Sequence, residues 1–382
     1  MAPCRKKIYR GHSRRTTNMV CASAEAIESC DEILIQILKH LPAKSLFRFK
    51  LVSKRWSSLI SDPFLKSIWK PRVSGLFIQI STKKTCKTKH EYIQVEAKLP
   101  NSLQDNLSFL NSDGNSICGT EILSSCNGLF LILCKKGSKL FYNHRYYICN
   151  PTTTAYVAVP CPERRSAWKE VNMFLAYDPS ESIAYKVVAI SFLRRSQIFV
   201  NMYSSESKSW KGMEGVPLGD VCFNLGVYFD GSILWPALTS EESQCFNVSS
   251  EVFQRFAMPP LQKSNQQRKL KHFGKTNEGH LCLILGSSSD ANMLFVHQMK
   301  RGQFNWSVKY HVDLTSLASA FHVLHIASKE DEVSSMILLV KGRAMSHEFK
   351  DKTYKELQKI ALPDQKCLVV HQLIENPFCL LN

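Results

Sequence analysis

The spacing of hydrophobic and polar positions changes near residue 72 of the chain. Between Ile33 and Leu41, apolar residues recur at the three- and four-residue intervals of one helix face. Beyond Arg72, short apolar or aromatic runs alternate with clusters of Asn, Asp, Ser, Gly and Pro, a pattern typical of strands and turns. The chain is therefore predicted to be mostly β, with a small helical segment in front.

The helical segment carries local start and stop signals. Ser29 and Glu32 have the S-x-x-E spacing of a capping box, so Ser29 is the predicted N-cap of the first helix. Pro42 ends that helix, because proline lacks an N–H and its ring clashes with the preceding turn. The later predicted features are a second helix over 43–51, a cap at Ser53 and a fourth helix starting at Asp62-Pro63.

This segment has more apolar surface than it can bury. From Ile33 to Trp69, 19 of 37 residues are apolar. A helical unit of this size buries too little of its own surface to be stable alone. One apolar face is therefore expected to be shared with the helices of a partner, and packing on the rest of the chain is the alternative.

Two motifs in the segment resemble an F-box. They are L-x-x-I-L-x-x-L-P-A-K-S-L over 34–46 and V-x-K-x-W-x-x-L-I-S-D-P-F over 52–64. Ser29-Cys30 departs from the pattern, since F-boxes usually have Leu-Pro there. The resemblance implies binding to the S-phase-kinase-associated adaptor of a cullin-RING ubiquitin ligase. It assigns adaptor contact to Leu34, Ile37, Leu38, Leu41, Pro42, Leu46, Val52 and Trp56. Internal packing is the alternative at each position, above all at Leu38, Val52 and Trp56.

A second pattern returns five times in the β-rich part. A strand ends, a polar turn follows, and an aromatic residue opens the next strand seven residues after the first anchor. The five units start at 149, 203, 246, 299 and 347, which are 43 to 54 residues apart. Periods of about 40 to 50 residues with four strands are the signature of propeller blades. About six blades are predicted, with an irregular first blade near 76–100, and an open β-sandwich is the alternative.

Three short motifs in this part resemble the F-box-associated, kelch-like domains of plant F-box proteins. They are S-C-N-G-L at 125–129, C-N-P-T at 149–152 and A-Y-D-P at 176–179. Asn127-Gly128 is also a strong hairpin turn in its own right. The predicted organisation is a basic disordered tail over 1–24, an α-helical F-box over 25–71 and a kelch-like β-propeller over 72–382.

The distribution of charge adds few candidate functional segments. The formal net charge is +17, and residues 1–24 carry six basic residues and no acidic ones. This tail is expected to be solvated; a nuclear-localisation signal, a nucleic-acid contact and a transit peptide are the alternatives. Two basic segments, 83–89 and 262–272, are predicted to be blade-edge loops and are the candidate target-reading loops.

Motifs for catalysis are missing from the sequence. It has no P-loop, G-x-S-x-G, H-E-x-x-H or G-x-G-x-x-G, and its fourteen cysteines include no C-x-x-C pair. No enzyme activity, catalytic residue, cofactor or metal site is therefore predicted. Solvated positions at turns or strand ends are expected for Asp178, Asp220, Asp230 and Glu348.

The favoured function is substrate recognition for an SCF-type ubiquitin ligase, with the F-box on the adaptor and the propeller on an unnamed target protein. The alternatives are a non-ligase kelch-like scaffold, a carbohydrate-binding propeller and a basic RNA-associated propeller. No membrane-length apolar run and no secretory signal are present, so the nucleus, the cytoplasm or both are expected.

Overall fold

The structure is a computed structural model with two compact units, Met1–Lys70 and Pro71–Asn382. The predicted basic tail, 1–24, lies outside the residues that it describes. The described residues are 30–68, 73–82, 85–95, 117–138, 141–162, 171–194, 197–217, 219–261, 267–287, 289–290, 292–317, 320–329, 332–362 and 366–378.

The described part of the first unit consists of short helices. They are α1 (Asp31–Leu38), α2 (Ala43–Phe49), α3 (Lys54–Ser61) and α4 (Pro63–Ile68). The predicted cap of α3 is confirmed, because the Ser53 hydroxyl accepts a hydrogen bond from the Trp56 backbone N–H at 3.1 Å. The start of α4 is also confirmed, because Asp62 Oδ1 accepts from the Phe64 N–H at 2.7 Å.

The predicted capping box of α1 is wrong. Cys30, rather than Ser29, is the N-cap, and its side chain makes no capping hydrogen bond. Starting one residue later places Glu32 at the second helical position, where it cannot reach back in the capping-box manner. Its carboxylate instead accepts a hydrogen bond from Cys30 Sγ at 3.2 Å. The acidic pair Asp31 and Glu32 still lies favourably in the first turn of the helix.

The second unit is a six-bladed propeller, so the predicted fold is confirmed. Each blade is an antiparallel sheet whose strands are neighbours in the chain, except in blade 1. Blade 1 contains β1 (Val73–Thr82), β2 (Thr85–Gln94) and β23 (Lys366–Ile374). Blade 2 contains β3 (Ile117–Cys126), β4 (Leu129–Ser138), β5 (Phe141–Asn150) and β6 (Ala155–Val159). Blade 3 contains β7 (Val171–Ala176), β8 (Lys186–Arg194), β9 (Gln197–Ser204) and β10 (Ser209–Pro217).

The remaining blades follow the same order. Blade 4 contains β11 (Val227–Phe229), β12 (Ser232–Leu234), β13 (Glu242–Asn247) and β14 (Val252–Ala257). Blade 5 contains β15 (Lys269–Lys275), β16 (Leu281–Gly286), β17 (Met293–Met299) and β18 (Ser307–Asp313). Blade 6 contains β19 (Phe321–Lys329), β20 (Glu332–Val340), β21 (Arg343–Glu348) and β22 (Tyr354–Lys359).

The sequence repeat corresponds to the hairpin between the third and fourth strands of a blade. Its anchors are direct cross-strand partners: Cys149 with Tyr156, Tyr203 with Trp210, Phe246 with Phe253, and His347 with Tyr354. Five residues after the first anchor, the backbone is left-handed in each of these hairpins, at Thr154, Lys208, Glu251 and Lys352. A residue with positive φ closes such short loops. The looser unit starting at Met299 differs, since its positive φ is at Gly302.

The aromatic anchors also join neighbouring blades. The indole N–H of Trp210 in blade 3 donates to the Pro160 carbonyl at the end of β6, at 2.9 Å. Trp306, just before β18 of blade 5, donates in the same way to the Ala257 carbonyl in β14 of blade 4, at 3.0 Å. Both indole rings are half-buried and their N–H groups are satisfied, which suits tryptophan to the contact between two sheets.

The last strand of the chain closes the ring. Strand β23 pairs antiparallel with β1, with Val73 opposite Ile374 and Thr82 opposite Lys366. The first strands of blades 2 to 6 adjoin one another around the centre, and β23 contacts β3 in the corresponding position. The irregular first blade predicted near 76–100 is therefore completed by residues almost 300 positions away.

The three family-like motifs meet at the end of β23. Asn127 and Gly128 form the predicted hairpin turn between β3 and β4, with φ of 43° and 91°. The Asn376 side-chain amide donates to the Asn127 carbonyl at 3.0 Å and to the Tyr177 hydroxyl at 3.3 Å. A Cβ at Gly128 would collide with the Asn376 side chain. The motifs therefore bind the C-terminal segment as well as forming turns.

Motif 149–152 supplies the other half of this contact. Asn150 donates through its side-chain amide to the Asn376 carbonyl at 2.9 Å. The Thr152 hydroxyl accepts from the Asn376 backbone N–H at 3.1 Å. Both side chains are buried, where leaving a polar group unsatisfied costs about 1–3 kcal/mol.

The expectation of a solvated Asp178 is wrong. Its side chain is 6% exposed and is paired with Arg301, which lies in the turn between β17 and β18. Burial by itself raises the pKa of this carboxyl, but hydrogen bonds from Ser180 and Arg301 outweigh it and hold the pKa below its ordinary value. Arg301 also approaches Asp230, with Nε 4.0 Å from Oδ1. Arg301 thus connects blade 5 to blade 3 through Asp178, which is 123 positions away, and to blade 4 through Asp230.

We predict that Asn376→Ala destabilises the propeller by about 2–4 kcal/mol, because several buried groups lose their partners together. Urea unfolding monitored by tryptophan fluorescence measures this loss. Asn224→Ala, at an exposed position, is the control and is expected to change little. Equal unfolding midpoints for the two variants would contradict a role for Asn376 in ring closure.

A second prediction concerns acid. His325 and His371 are buried, and burial lowers the pKa of each to about 3. The unfolded chain binds protons at these rings below about pH 6.5, while the folded chain does not. Stability is therefore complete above that pH and falls as the pH drops, by up to about 1.4 kcal/mol per pH unit for each ring.

Urea unfolding at pH 7.5 and pH 5.5 tests this effect. His325→Gln is expected to reduce the difference in the free energy of unfolding between the two pH values. His322→Gln, at an exposed position on the same strand, is the control and is expected to leave the difference intact. Equal effects of the two substitutions would contradict the assignment to the buried ring.

Candidate functional site

The helical unit presents large apolar side chains to solvent. Single exposed apolar residues are common on proteins, but several in fewer than forty residues form a candidate interaction surface. We call this set the apolar surface of the helical unit; its members are Ile33, Ile37, Leu51, Val52 and Phe64.

Helix α1 is apolar on two adjacent faces. Leu34 and Leu38, four residues apart, are buried, and they form the inner face of the helix. Ile33 and Ile37, also four residues apart, are 45% and 44% exposed. One turn of sequence thus supplies both a core contact and a solvent-facing stripe.

The structure divides the eight predicted adaptor-binding residues by exposure. Leu34, Leu38 and Leu46 are buried, and Leu41 and Trp56 are half-buried. The exposed members are Ile37, Pro42 and Val52. Adaptor contact stays a prediction for all eight, and the buried members offer no surface for it in this conformation. Val52 is 66% exposed, so internal packing does not describe it.

Three members of the apolar surface are absent from the predicted set. Ile33 precedes the matching motif by one residue, and Leu51 stands in the gap between the two motifs. Phe64 is the last motif position. Leu51 is the most exposed of the set at 77%, because α2 ends at Phe49 rather than continuing to the predicted 51. An apolar pair in a loop before a capping serine is the sequence signal for this surface.

Contacts between helices hold this surface in place. Phe49 and Trp56 meet edge to face with ring centroids 5.0 Å apart, so Trp56 serves packing between α2 and α3. Arg55 in α3 donates to Asp31 in α1 from Nε at 3.1 Å and from Nη2 at 2.5 Å. Both charged groups are well exposed, so this pair contributes at most about 1 kcal/mol.

The two predicted target-reading loops differ from expectation. In the first, 85–89 belongs to strand β2, and 83–84 lies outside the described residues. In the second, 262–266 lies outside them, and 269–272 belongs to strand β15. Alternating basic residues in a two-sided strand resemble a charged loop in sequence, which explains the error.

Arg268 is a buried structural residue rather than part of a reading loop. Its guanidinium donates to the Ala237 carbonyl at 3.3 Å and to the Ser240 carbonyl at 2.5 Å, and also to the Pro259 carbonyl. Burial lowers its pKa, and Glu241 and Asp220 partly offset that effect. The residue fixes the irregular segment between β12 and β13.

The other predicted acidic positions have varied environments. Asp220 accepts hydrogen bonds from the backbone N–H of Thr239, at 3.0 Å, and from its hydroxyl. Asp230 accepts from the Gly302 N–H at 2.9 Å, whereas Glu348 is exposed at the end of β21. No cluster of His, Cys, Asp and Glu in the described part of the chain is placed to hold a metal ion. None of the described helices has the length and apolar character to cross a membrane.

Neighbouring residues of α1 provide a test of this division between core and surface. We predict that Leu38→Ala destabilises the helical unit by about 2–5 kcal/mol, because it leaves a cavity in a filled core. Ile37→Ala is the matched control and is expected to have less than about 1 kcal/mol of effect, because its side chain is half in water. Hydrogen exchange of the backbone amides over 31–68 measures both, and equal protection in the two variants would contradict the division.

Comparison with known proteins agrees with this architecture. The F-box domain family matches residues 30–68, and the family described as F-box associated beta propeller domain matches residues 77–372. The matched description is F-box associated rather than kelch, and kelch-like character stays a prediction.

Two relatives cover more than half of the chain. The F-box protein At5g07610 of Arabidopsis thaliana is 28% identical, over 90% of this chain and 89% of that protein. The F-box/kelch-repeat protein At3g23880 of the same plant is 26% identical, over 60% of this chain and 65% of that protein. A chain in the crystal structure of the mitotic checkpoint complex is 9% identical with a TM-score of 0.35, over 68% of this chain and 96% of that one, a likeness too low to carry an argument.

The anchor hairpins, the three motifs at 125–129, 149–152 and 176–179, and the helical unit lie within the matched regions, whereas Asn376 lies just beyond them. Since the match at 77–372 covers most of the 382 residues, the chain belongs to the family of F-box proteins with an F-box associated β-propeller domain.

Proposed function

We propose that this protein is the target-recognition subunit of an SCF-type cullin-RING ubiquitin ligase. Its helical unit binds an S-phase-kinase-associated adaptor, and its propeller binds the target protein. The observation that carries the proposal is the apolar surface of the helical unit, which lies within the F-box match at 30–68. The nucleus, the cytoplasm or both are the proposed location.

Burial of this surface supplies the driving force for docking. Fully burying a large aliphatic or aromatic side chain is worth about 1.5–3 kcal/mol relative to leaving it in water. Leu51, Val52 and Phe64 are each more than half exposed, so most of that free energy is still available to a partner. Association costs several kcal/mol in lost freedom, which a group of such side chains offsets and one alone does not.

No catalytic residue is needed for this role. A subunit that holds a target lysine close to a ubiquitin carrier raises its effective concentration, and proximity alone lowers the barrier. The propeller suits this task, because its closed ring keeps loops from different blades in fixed relative positions. Target recognition then depends on side chains at the blade ends rather than on a reactive group.

Size-exclusion co-elution of the full chain with purified adaptor tests the docking. The native chain is expected to form a stable complex, and Val52→Asp is expected to weaken it by about a hundredfold or more by placing a charge in an apolar contact. Ile183→Asp is the matched control, because Ile183 is 71% exposed but lies in a propeller loop. It is expected to leave co-elution unchanged.

The proposal fails if no adaptor isoform forms a complex with the native chain. It also fails if Val52→Asp and Ile183→Asp have equal effects. A weak native complex that is strengthened by Ser29→Leu together with Cys30→Pro would assign the weakness to that dipeptide. Far-UV circular dichroism of each variant checks that the helices remain folded.

A further inference from the structure

Blade 4 differs from the other blades at one end. Its first two strands, β11 and β12, have only three residues each. The first strands of the other four-stranded blades have six to ten residues. A short 3-10 helix (Phe223–Leu225) with irregular chain before it precedes β11, and irregular chain over 235–241 follows β12. Shortened strands leave a recess at this end of the blade.

The recess contains a cavity of about 200 Å³. This exceeds by far the volume of about 10–15 Å³ that one water molecule requires, so it accepts the tip of a side chain. The residues that line it are Gly219, Asp220, Val221, Ser240, Glu242, Ser243, Gln244 and Arg255. We call it the blade 4 recess.

Hydrogen bonds fix the walls of the recess. Asp220 is held by the backbone N–H and hydroxyl of Thr239, and the Ser240 carbonyl is held by Arg268. The Ser243 hydroxyl donates to the Trp235 carbonyl. Because its polar walls are already positioned, the recess needs little reorganisation to receive a ligand.

The recess offers hydrogen-bond acceptors more than donors. Gln244 Oε1 is buried, and among the described residues no group donates a hydrogen bond to it. Asp220 and Glu242 add two carboxylates, against one guanidinium, that of Arg255, which lies 3.1 Å from Glu242 Oε2. Its charge is therefore negative in a chain whose formal net charge is +17.

We propose that the blade 4 recess binds an arginine side chain of the target protein. A guanidinium has five N–H donors in a planar fork and no acceptor, which complements two carboxylates and a buried amide oxygen that has no donor among the described residues. Such charge-assisted hydrogen bonds are the strong ones. The inference rests on the proposed function, because it assigns to one site the target recognition that the propeller performs.

Gly219 provides the close wall of the recess. A Cβ at this position would lie 2.8 Å from the Gln244 side-chain amide, so a larger residue occupies space at the wall of the recess and forces that amide to move. Gly219→Val is therefore expected to close the recess. Its backbone does not have a positive φ, so the substitution adds no left-handed strain.

The experiment is a saturation-transfer NMR titration of the full chain with N-acetyl-L-arginine methylamide. The neutral isostere N-acetyl-L-citrulline methylamide has the same shape without the positive charge. The arginine probe is expected to bind saturably, and the citrulline probe is expected to bind about tenfold or more weakly. Equal binding of the two probes, or no saturable binding, overturns the proposal.

Substitutions locate the binding. Glu242→Gln and Gly219→Val are each expected to weaken the arginine probe by about fivefold or more. Glu356→Gln is the matched control, because Glu356 pairs with Arg343 across blade 6 with the same 13-residue separation as Glu242 with Arg255. It is expected to leave the affinity within about twofold, since its arginine contact resembles that of Glu242 but it is absent from the recess lining. Equal weakening by Glu242→Gln and Glu356→Gln overturns the assignment to the recess.

Adaptor co-elution of the same variants separates this inference from the proposed function. Glu242→Gln and Gly219→Val are expected to co-elute with the adaptor as the native chain does. Loss of arginine binding with an intact adaptor complex supports a separate site on the propeller. Failure of the native chain to bind the arginine probe, with adaptor binding retained, overturns the recess alone.

Discussion

The pairing of β23 with β1 is the contact on which the propeller depends. A four-stranded blade exposes two apolar faces, and only a closed ring covers the faces of every blade. Closure joins residues almost 300 positions apart, so the chain loses much conformational freedom before this contact forms. Hydrogen bonds of Asn376, just after β23, offset part of this entropy cost because they satisfy buried polar groups next to the closing strand.

This closure gives a physical reason for the three short motifs at 125–129, 149–152 and 176–179. An Asn-Gly turn, an Asn-Pro-Thr turn and a Tyr-Asp pair could each serve only a local turn. In the folded chain, Asn127, Asn150 and Tyr177 all contact Asn376, so each also holds the C-terminal strand. Asp178 extends this arrangement through Arg301 to blade 5.

The two units use apolar residues in opposite ways. The propeller buries its apolar residues in clusters between adjacent sheets, and its aromatic anchors reach from one blade to the next. The helical unit buries Leu34, Leu38 and Leu46 but leaves a second apolar set in water. The helices described over 31–68 are too short to enclose both sets, which explains why the outer set is exposed.

The sequence by itself determined the class of fold, the helix start signals at Ser53 and Asp62, and the hairpins of the repeat. The helix starts and the hairpins depend on residues within about ten positions of one another, so turn chemistry and local periodicity reveal them. The class of fold follows from the return of that hairpin pattern every 43 to 54 residues. Only the tertiary structure decided that β23 completes blade 1, that Asp178 is paired with Arg301, and which face of α1 is exposed. The first two outcomes depend on contacts between distant segments, and the third depends on which of two apolar helix faces packs in the interior. Neither kind of contact produces a local sequence pattern.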